Sequence, residues 1–247
     1  MNIIKRIITA VTFLTIMPLP NNGVIQPKEF GKSMAYFPLV GLLIGALLIG
    51  AQMVLIKIFS PLTTTVLLIA FWSCLTGFLH LEGFVDAIDG FSASSNKERI
   101  LDVMKDHHCG AKGVVAIVFL IIVKIVLLSD IPAYLLTPAL VLTPAVSRWV
   151  MVAASLCPHA SNETGLGKTF VENSGSTEVV IASIILMIAG LSLLRIQFIV
   201  LMIPVLILVL LFLSYVIRKI NGVTGDILGA MNELTEAACL GTFVLLR

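Results

Sequence analysis

Apolar residues run almost unbroken through Met34 to Ile56, Leu62 to His80, Val114 to Leu128, Ile131 to Leu156, Val179 to Leu194, Phe198 to Ile217 and Ile227 to Leu246. An α-helix rises about 1.5 Å per residue and a bilayer core is about 30 Å thick, so roughly 20 apolar residues carry a helix across it. The pattern therefore predicts an all-α, polytopic transmembrane helical bundle of about seven spans. An earlier stretch, Ile7 to Met17, is shorter and runs into Pro18 and Pro20. It predicts an N-terminal interfacial or re-entrant helix. Lys5 and Arg6 precede it as in a signal peptide, but no A-x-A-like cleavage site follows, so the segment is expected to be retained. The connections are short, without a Gly/Ser-rich linker, a charge tract or an internal repeat, which predicts one membrane-embedded domain over residues 1–247.

Composition sharpens this picture. Hydrophobic residues make up 58% of the chain and charged residues 12%, against roughly 25% charged in an ordinary soluble domain. The net charge of +2 is small and the basic residues are dispersed, which sets nucleic-acid partners aside. Cys74, Cys109, Cys157 and Cys239 are far apart without a C-x-x-C pair, so neither a zinc site nor a disulfide framework is indicated.

Alternating the spans across the membrane gathers eleven of the sixteen basic residues on one side: Lys5, Arg6, Lys28, Lys32, Lys97, Arg99, Lys105, Lys112, Lys168, Arg218 and Lys219. The other side receives Lys57, Arg195 and Arg247, while Lys124 and Arg148 fall inside apolar runs. The positive-inside rule makes the first side cytoplasmic. Of the fourteen carboxylates, only Asp130 lies clearly on the opposite side, so the chemistry is expected to face the cytoplasm.

Three polar segments carry candidate chemistry. In His80-Leu81-Glu82-Gly83-Phe84-Val85-Asp86-Ala87-Ile88-Asp89-Gly90, the acids Glu82, Asp86 and Asp89 stand at i, i+4 and i+7, one stripe of a helix. Three carboxylates on one stripe repel one another unless a cation sits among them, and oxygen-only ligands suit Mg²⁺ or Mn²⁺ rather than zinc. A solvated acidic helix end is the plainer alternative, against which Gly83 and Gly90 point to close backbone approach. A second pair, Asp102 and Asp106, is interleaved with Arg99, Lys105 and Lys112. Cations beside metal-binding acids are the usual apparatus for phosphoryl chemistry, although an amphipathic helix with salt bridges has the same spacing. The third segment runs from Gly225 to Glu236, where Asp226, Gly229, Glu233 and Glu236 share one helical face. Arg148, inside the fourth apolar run, requires an anionic ligand or one of these carboxylates as its partner. The histidines His80, His107, His108 and His159 are not expected to bind metal.

The segment His80 to Gly90, followed by Met104-Lys105-Asp106, Gly110 and Gly113, resembles the signature of the cobalamin synthase family, also called adenosylcobinamide-GDP ribazoletransferase. Further matches follow in family order: Phe13-Leu14-Thr15 with Pro18-Leu19-Pro20, Phe37-Pro38-Leu39-Val40-Gly41, Ala145-Val146-Ser147-Arg148, Gly165-Leu166-Gly167, and Thr224-Gly225-Asp226 through Glu233 and Glu236. The resemblance covers essentially the whole chain. It implies the last assembly step of cobalamin synthesis, in which α-ribazole or its 5′-phosphate attacks adenosylcobinamide-GDP and GMP leaves, with Mg²⁺ required. Glu82 stands where the family commonly has Asp, and His107-His108-Cys109 replaces a variable stretch.

Together, these readings assign Glu82, Asp86 and Asp89 to metal, Asp106 or Asp226 to the catalytic base, and Lys105, Arg99, Arg148, Glu233 and Glu236 to substrate or phosphate. The expected location is a prokaryotic cytoplasmic (inner) membrane, and the expected partners are the two small-molecule substrates and the lipid bilayer. A homo-oligomer and association with other cobalamin-assembly enzymes are left open. The CDP-alcohol phosphotransferases offer a partial match through Asp86 and Asp89-Gly90 to Ala93, but Ser94 replaces their Arg and Asp102 to Asp106 comes five residues too early. A secondary transporter using Glu82, Asp226 and Glu233 as ion or proton sites is the rival from another class; no inverted repeat accompanies it.

Overall fold

The structure, a computed structural model, describes residues 2–19, 26–106, 108–160 and 166–246. His107, Pro20, Gly165 and Arg247 therefore lie outside the described residues, and with them the expectation for His107. Within the described residues the chain forms twelve α-helices and no strand; its one β-type contact is an isolated bridge between His159 and Val223.

The N-terminal helix α1 (Ile3–Leu14) is 12 residues long, about 18 Å at the helical rise, and too short to cross a bilayer. It buries Thr9, Ala10, Val11 and Leu14 against α2 (Pro27–Ser33) and α3 (Phe37–Leu55), and Arg6 donates to Glu29 of α2 at 2.9 Å. The segment Pro27–Leu55 and the helices α7 (Ala111–Asp130), α8 (Ala133–Ala154), α10 (Ser176–Leu194) and α11 (Gln197–Ile220) are each long and apolar enough to cross a membrane. This is a membrane protein.

The run expected to cross straight from Leu62 to His80 is broken. It consists of α4 (Pro61–Leu75) and α5 (Leu79–Ala93), bent by 88°, and counts as a sixth span if the bent pair is one. The cause is local: Gly77 and Phe78 both take left-handed backbone conformations at φ 60°, which no helix can continue through. His80 thus belongs to the helix carrying the acids. The seventh expected span corresponds to α12 (Gly225–Leu245), whose 21 residues are long enough, but whose acids keep it from matching the others in apolarity. The number seven rests on the sequence pattern.

Two crossings organise the bundle. Helices α3 and α8 approach so closely at Gly41 and Gly45 that a Cβ at Gly41 would collide with the Pro144 carbonyl, and one at Gly45 would lie 2.5 Å from Val141 Cα. Small residues that let backbones meet are how helices associate where lipid removes the hydrophobic drive. Helix α12 crosses α5 in the same way, with a Gly83 Cβ 2.9 Å from Asp226 Cα and a Gly229 Cβ 3.2 Å from the His80 carbonyl oxygen.

Between α7, α8 and α12 lies a buried charge cluster. Lys124 donates to Glu233 Oε2 at 2.9 Å and to Glu236 Oε2 at 2.5 Å, and its ammonium sits 4.8 Å from the Trp72 ring centroid. Arg148 donates to Glu236 Oε1 and, at 2.9 Å, to Ser147 Oγ; Asn232 donates to Glu236 Oε1 at 3.1 Å. Two cations and two carboxylates balance, which is what permits charge at this depth.

The polar connections meet at one end of the bundle. Helix α2 packs on α9 (Leu166–Asn173), α6 (Lys97–Met104) contacts α5 and α11, and Ala160 donates to the Val223 carbonyl at 2.9 Å.

Glu236→Gln is expected to destabilise the folded protein by roughly 3–5 kcal/mol, because it leaves Lys124 and Arg148 short of a buried counter-charge. Thermal unfolding in a mild detergent would measure it, with the conservative Glu98→Gln on exposed α6 as the unaffected control.

Candidate active site

A cavity of about 1100 Å³ opens at the polar end, where α5, the end of α6 and the start of α12 converge. Glu82 and Asp86 from α5, Lys105 and Asp106 just after α6, and Asp226 from the first turn of α12 all line it. These residues lie up to 144 positions apart in the chain, and the Gly83–Asp226 contact is what joins their two main sources. Each helix starts where its sequence dictates: Asn96 caps α6 by accepting the Arg99 N–H at 2.9 Å, and Thr224 caps α12 by accepting the Ile227 N–H at 3.2 Å.

Asp102 and Asp106 do not share a helix as their spacing predicted. Helix α6 ends at Met104 with Lys105 as its C-cap, which releases Asp106 to the cavity and leaves Asp102 exposed on the helix. Asp106 accepts both the backbone N–H of His108 at 3.1 Å and a contact from its ring Nδ1 at 2.6 Å.

Asp89 lies on α5 as expected, yet it is not among the residues lining the cavity. Its carboxylate accepts the Gly110 N–H at 2.7 Å and the Gly113 N–H at 2.8 Å, holding the first turn of α7, where unpaired N–H groups and the helix dipole favour a negative charge. A Cβ at Gly110 would stand 2.5 Å from the same carboxylate, and one at Gly113 would collide with it. The two glycines exist to let Asp89 in.

The substrate expectation for Arg148, Glu233 and Glu236 gives way to a structural one. All three are buried in the internal charge cluster and none lines the cavity, since the partner open to Arg148 is the carboxylate of Glu236. Arg99 sits exposed on α6 and does not line the cavity either, whereas Lys105 does. Two residues escaped the sequence reading. Lys124 is the fourth charge of the cluster, signalled only by being the one lysine inside an apolar run. His80 lines the cavity while 1% exposed, and both of its ring nitrogens are without a hydrogen-bond partner among the described residues.

Four carboxylates, Glu82, Asp86, Asp106 and Asp226, line the cavity with Lys105, while His80 and Cys109 are the imidazole and thiol on its wall; the preponderance of carboxylate oxygen suits Mg²⁺ and phosphate better than a thiol or imidazole metal. Among the described residues, no three His, Cys, Asp or Glu side chains converge as a complete metal cage. That fits Mg²⁺ nonetheless, which is commonly held by one or two carboxylates plus the oxygens of a phosphorylated substrate. Cys74, Cys109, Cys157 and Cys239 are free thiols.

The family model described as cobalamin-5-phosphate synthase matches residues 6–244. Curated proteins named adenosylcobinamide-GDP ribazoletransferase align over nearly the full length. That of Caldanaerobacter subterraneus subsp. tengcongensis is 36% identical, covering 98% of this chain and 99% of its own. The Clostridium acetobutylicum protein is 37% identical over 96% of this chain and 95% of its own. The Acetivibrio thermocellus protein is 36% identical over the whole of both. No solved structure matches. A match that runs from residue 6 to 244, and relatives 36–37% identical across nearly their whole length, show that this chain belongs to the cobalamin-5-phosphate synthase family.

Proposed function

We propose that this chain transfers the adenosylcobinamide-phosphate part of adenosylcobinamide-GDP to a ribose hydroxyl of α-ribazole, or of its 5′-phosphate, releasing GMP. The observation that carries the reading is the convergence of Glu82, Asp86, Lys105, Asp106 and Asp226 on one cavity. The names of the relatives supply the substrates, and the carboxylate-and-lysine lining is suited to a diphosphate.

Glu82 and Asp86 are the residues that would hold Mg²⁺, with Mn²⁺ as its substitute; bound there, the ion would neutralise charge on the diphosphate oxygens. Lys105 binds a phosphate oxygen as a flexible point charge. Asp106 takes the proton of the attacking hydroxyl as the new oxygen–phosphorus bond forms and the bond to GMP breaks. The His108 contact supports this role by giving that proton a route to solvent. Asp226, fixed at the start of α12, is the alternative base. Asp89 contributes by fixing the start of α7 beside the cavity.

The membrane is proposed to be the prokaryotic inner membrane, with the cavity facing the cytoplasm, on the strength of the basic-residue asymmetry. Purified protein in detergent, supplied with adenosylcobinamide-GDP, α-ribazole and Mg²⁺, should release GMP; no GMP under any of these combinations would end the reading.

Asp86→Asn should retain insertion and lose at least about a hundredfold in turnover, the scale of removing one oxyanion-stabilising interaction, and added Mg²⁺ should not restore the full rate. Near wild-type turnover would return Asp86 to a solvated helix face. For the base, Asp106→Asn should lower the single-turnover rate while leaving metal-dependent binding of adenosylcobinamide-GDP nearly unchanged. Weakened binding in that variant, with a pure rate defect in Asp226→Asn, would exchange the two roles. For topology, a lone cysteine at Ser95 in a cysteine-free background should stay unreactive towards an impermeant maleimide added outside intact cells. Labelling there would invert the assignment.

A further inference from the structure

Glu82 and Asp86 reach the cavity on a helix, whereas Lys105 and Asp106 reach it on the six-residue connection between α6 and α7, residues 105–110. Such a connection has no helical hydrogen-bond ladder of its own, so its charged groups are held only by what its ends are fastened to. Within it, Asp106 accepts the His108 N–H at 3.1 Å, and Cys109 lines the cavity beside Lys105 and Asp106.

Both ends are fastened to neighbouring residues of α5. At the α6 end, Met104 packs over Gly90: a Cβ there would stand 2.6 Å from Met104 Cγ and 3.0 Å from the Ile100 carbonyl oxygen. At the α7 end, Asp89 accepts the N–H groups of Gly110 and Gly113 at 2.7 and 2.8 Å, two charge-assisted bonds to one carboxylate. Lys112 Nζ adds a third tie, donating to the Ser92 carbonyl at 3.1 Å. Because the fastenings adjoin at Asp89 and Gly90, the connection closes on itself as a strap. Asp106 stands two residues from Met104 and four from Gly110, and four extended residues span at most about 14 Å. Released at Gly110, the strap would keep one fastening, and the placement of Lys105 and Asp106 against Glu82 and Asp86 would be lost.

We infer that Asp89 is a positioning residue for the transfer: it meets neither metal nor substrate, and with Gly90 it closes the strap that sets Lys105 and Asp106 against the diphosphate. This rests on the transfer reading above. It departs from the metal role that the spacing of Glu82, Asp86 and Asp89 suggests, and the two roles differ in what they tolerate. A metal ligand facing an open cavity accepts one more methylene, since its oxygens remain. A carboxylate seated against Gly110 and Gly113, with no room for a Cβ at either, accepts neither a longer side chain at 89 nor an alanine at 113.

The test uses the full chain in detergent, with Cys74→Ser and Cys157→Ser so that the exposed Cys109 takes a nitroxide spin label while Cys239 stays buried. The electron spin resonance spectrum should be broad in this parent, narrowed in Asp89→Asn, Asp89→Glu and Gly113→Ala, each of which removes or displaces the fastening, and still broad in Asp86→Asn. Without the label, the same three variants should lower the turnover for GMP release roughly tenfold or more, the scale of a displaced catalytic group, with the Mg²⁺ concentration for half-maximal rate within about twofold of the parent. The Asp89→Asn/Gly113→Ala double variant should be about as slow as the slower single one, because both remove one fastening. If Asp89→Asn fails to elute as a folded species on gel filtration, Gly110→Ala and Gly113→Ala, which leave the carboxylate in place, give the same comparison. An unnarrowed spectrum, or a half-maximal Mg²⁺ raised tenfold or more, would overturn the inference and return Asp89 to the metal; a narrowed spectrum with turnover intact would overturn it too, leaving the strap without a part in the reaction. The spectrum needs no substrate, so an unsubstituted protein that releases no GMP would strike the transfer reading alone, and the two failures are distinguishable.

Discussion

Glu233 and Glu236 can lie inside a membrane bundle only because Lys124 and Arg148 meet them there. Four charges drawn from three helices cancel within hydrogen-bond distance, and Asn232 and Ser147 supply further polar contacts to Glu236. Each helix alone would carry an uncompensated charge into hydrocarbon. The cluster therefore specifies which faces of α7, α8 and α12 turn inward, and packing determines the rest. Replacing it with apolar side chains of similar volume could match its stability but would forfeit that registration.

Once α12 is oriented by its charged middle, its first turn has one place to go. Gly229 and Gly83 let it lie against α5, and Asp226 arrives beside Glu82 and Asp86. The acids of the cavity thus depend on acids that never reach it. Asp89 extends the same logic to α7: by holding the N–H groups of Gly110 and Gly113 it fixes the helix that brings Lys124 to the cluster. Cavity and charge cluster share helices and are not independent features.

The strained corner at Gly77 and Phe78 belongs to this arrangement as well. A straight helix from Pro61 onward would have carried Glu82 and Asp86 along the bundle axis and away from α12. The 88° bend lays α5 across the polar end, where its acids can face α12 and Asp106. A left-handed phenylalanine costs on the order of 1–2 kcal/mol, and such strain is tolerated where the surrounding structure over-determines it.

By itself, the sequence determined that the chain is helical and membrane-embedded, because runs of about twenty apolar residues have no other stable home. It also marked acids that could share a site, since Glu82 and Asp86 stand on one helical stripe and Asp226 opens another acidic segment. What it could not decide was the destination of each charge. Arg148 needed an anion, but ligand and carboxylate satisfy a guanidinium equally, and only the approach of α12 selects Glu236. Asp89 shares the spacing of Glu82 and Asp86, yet the start of α7 claims it. Lys124, marked in the sequence only as a lysine inside an apolar run, became one of the two cations of the charge cluster, and His80 became part of the cavity wall. Helical spacing names which residues share a face; which neighbour that face meets is a property of packing, and packing is set by contacts between residues distant in the chain.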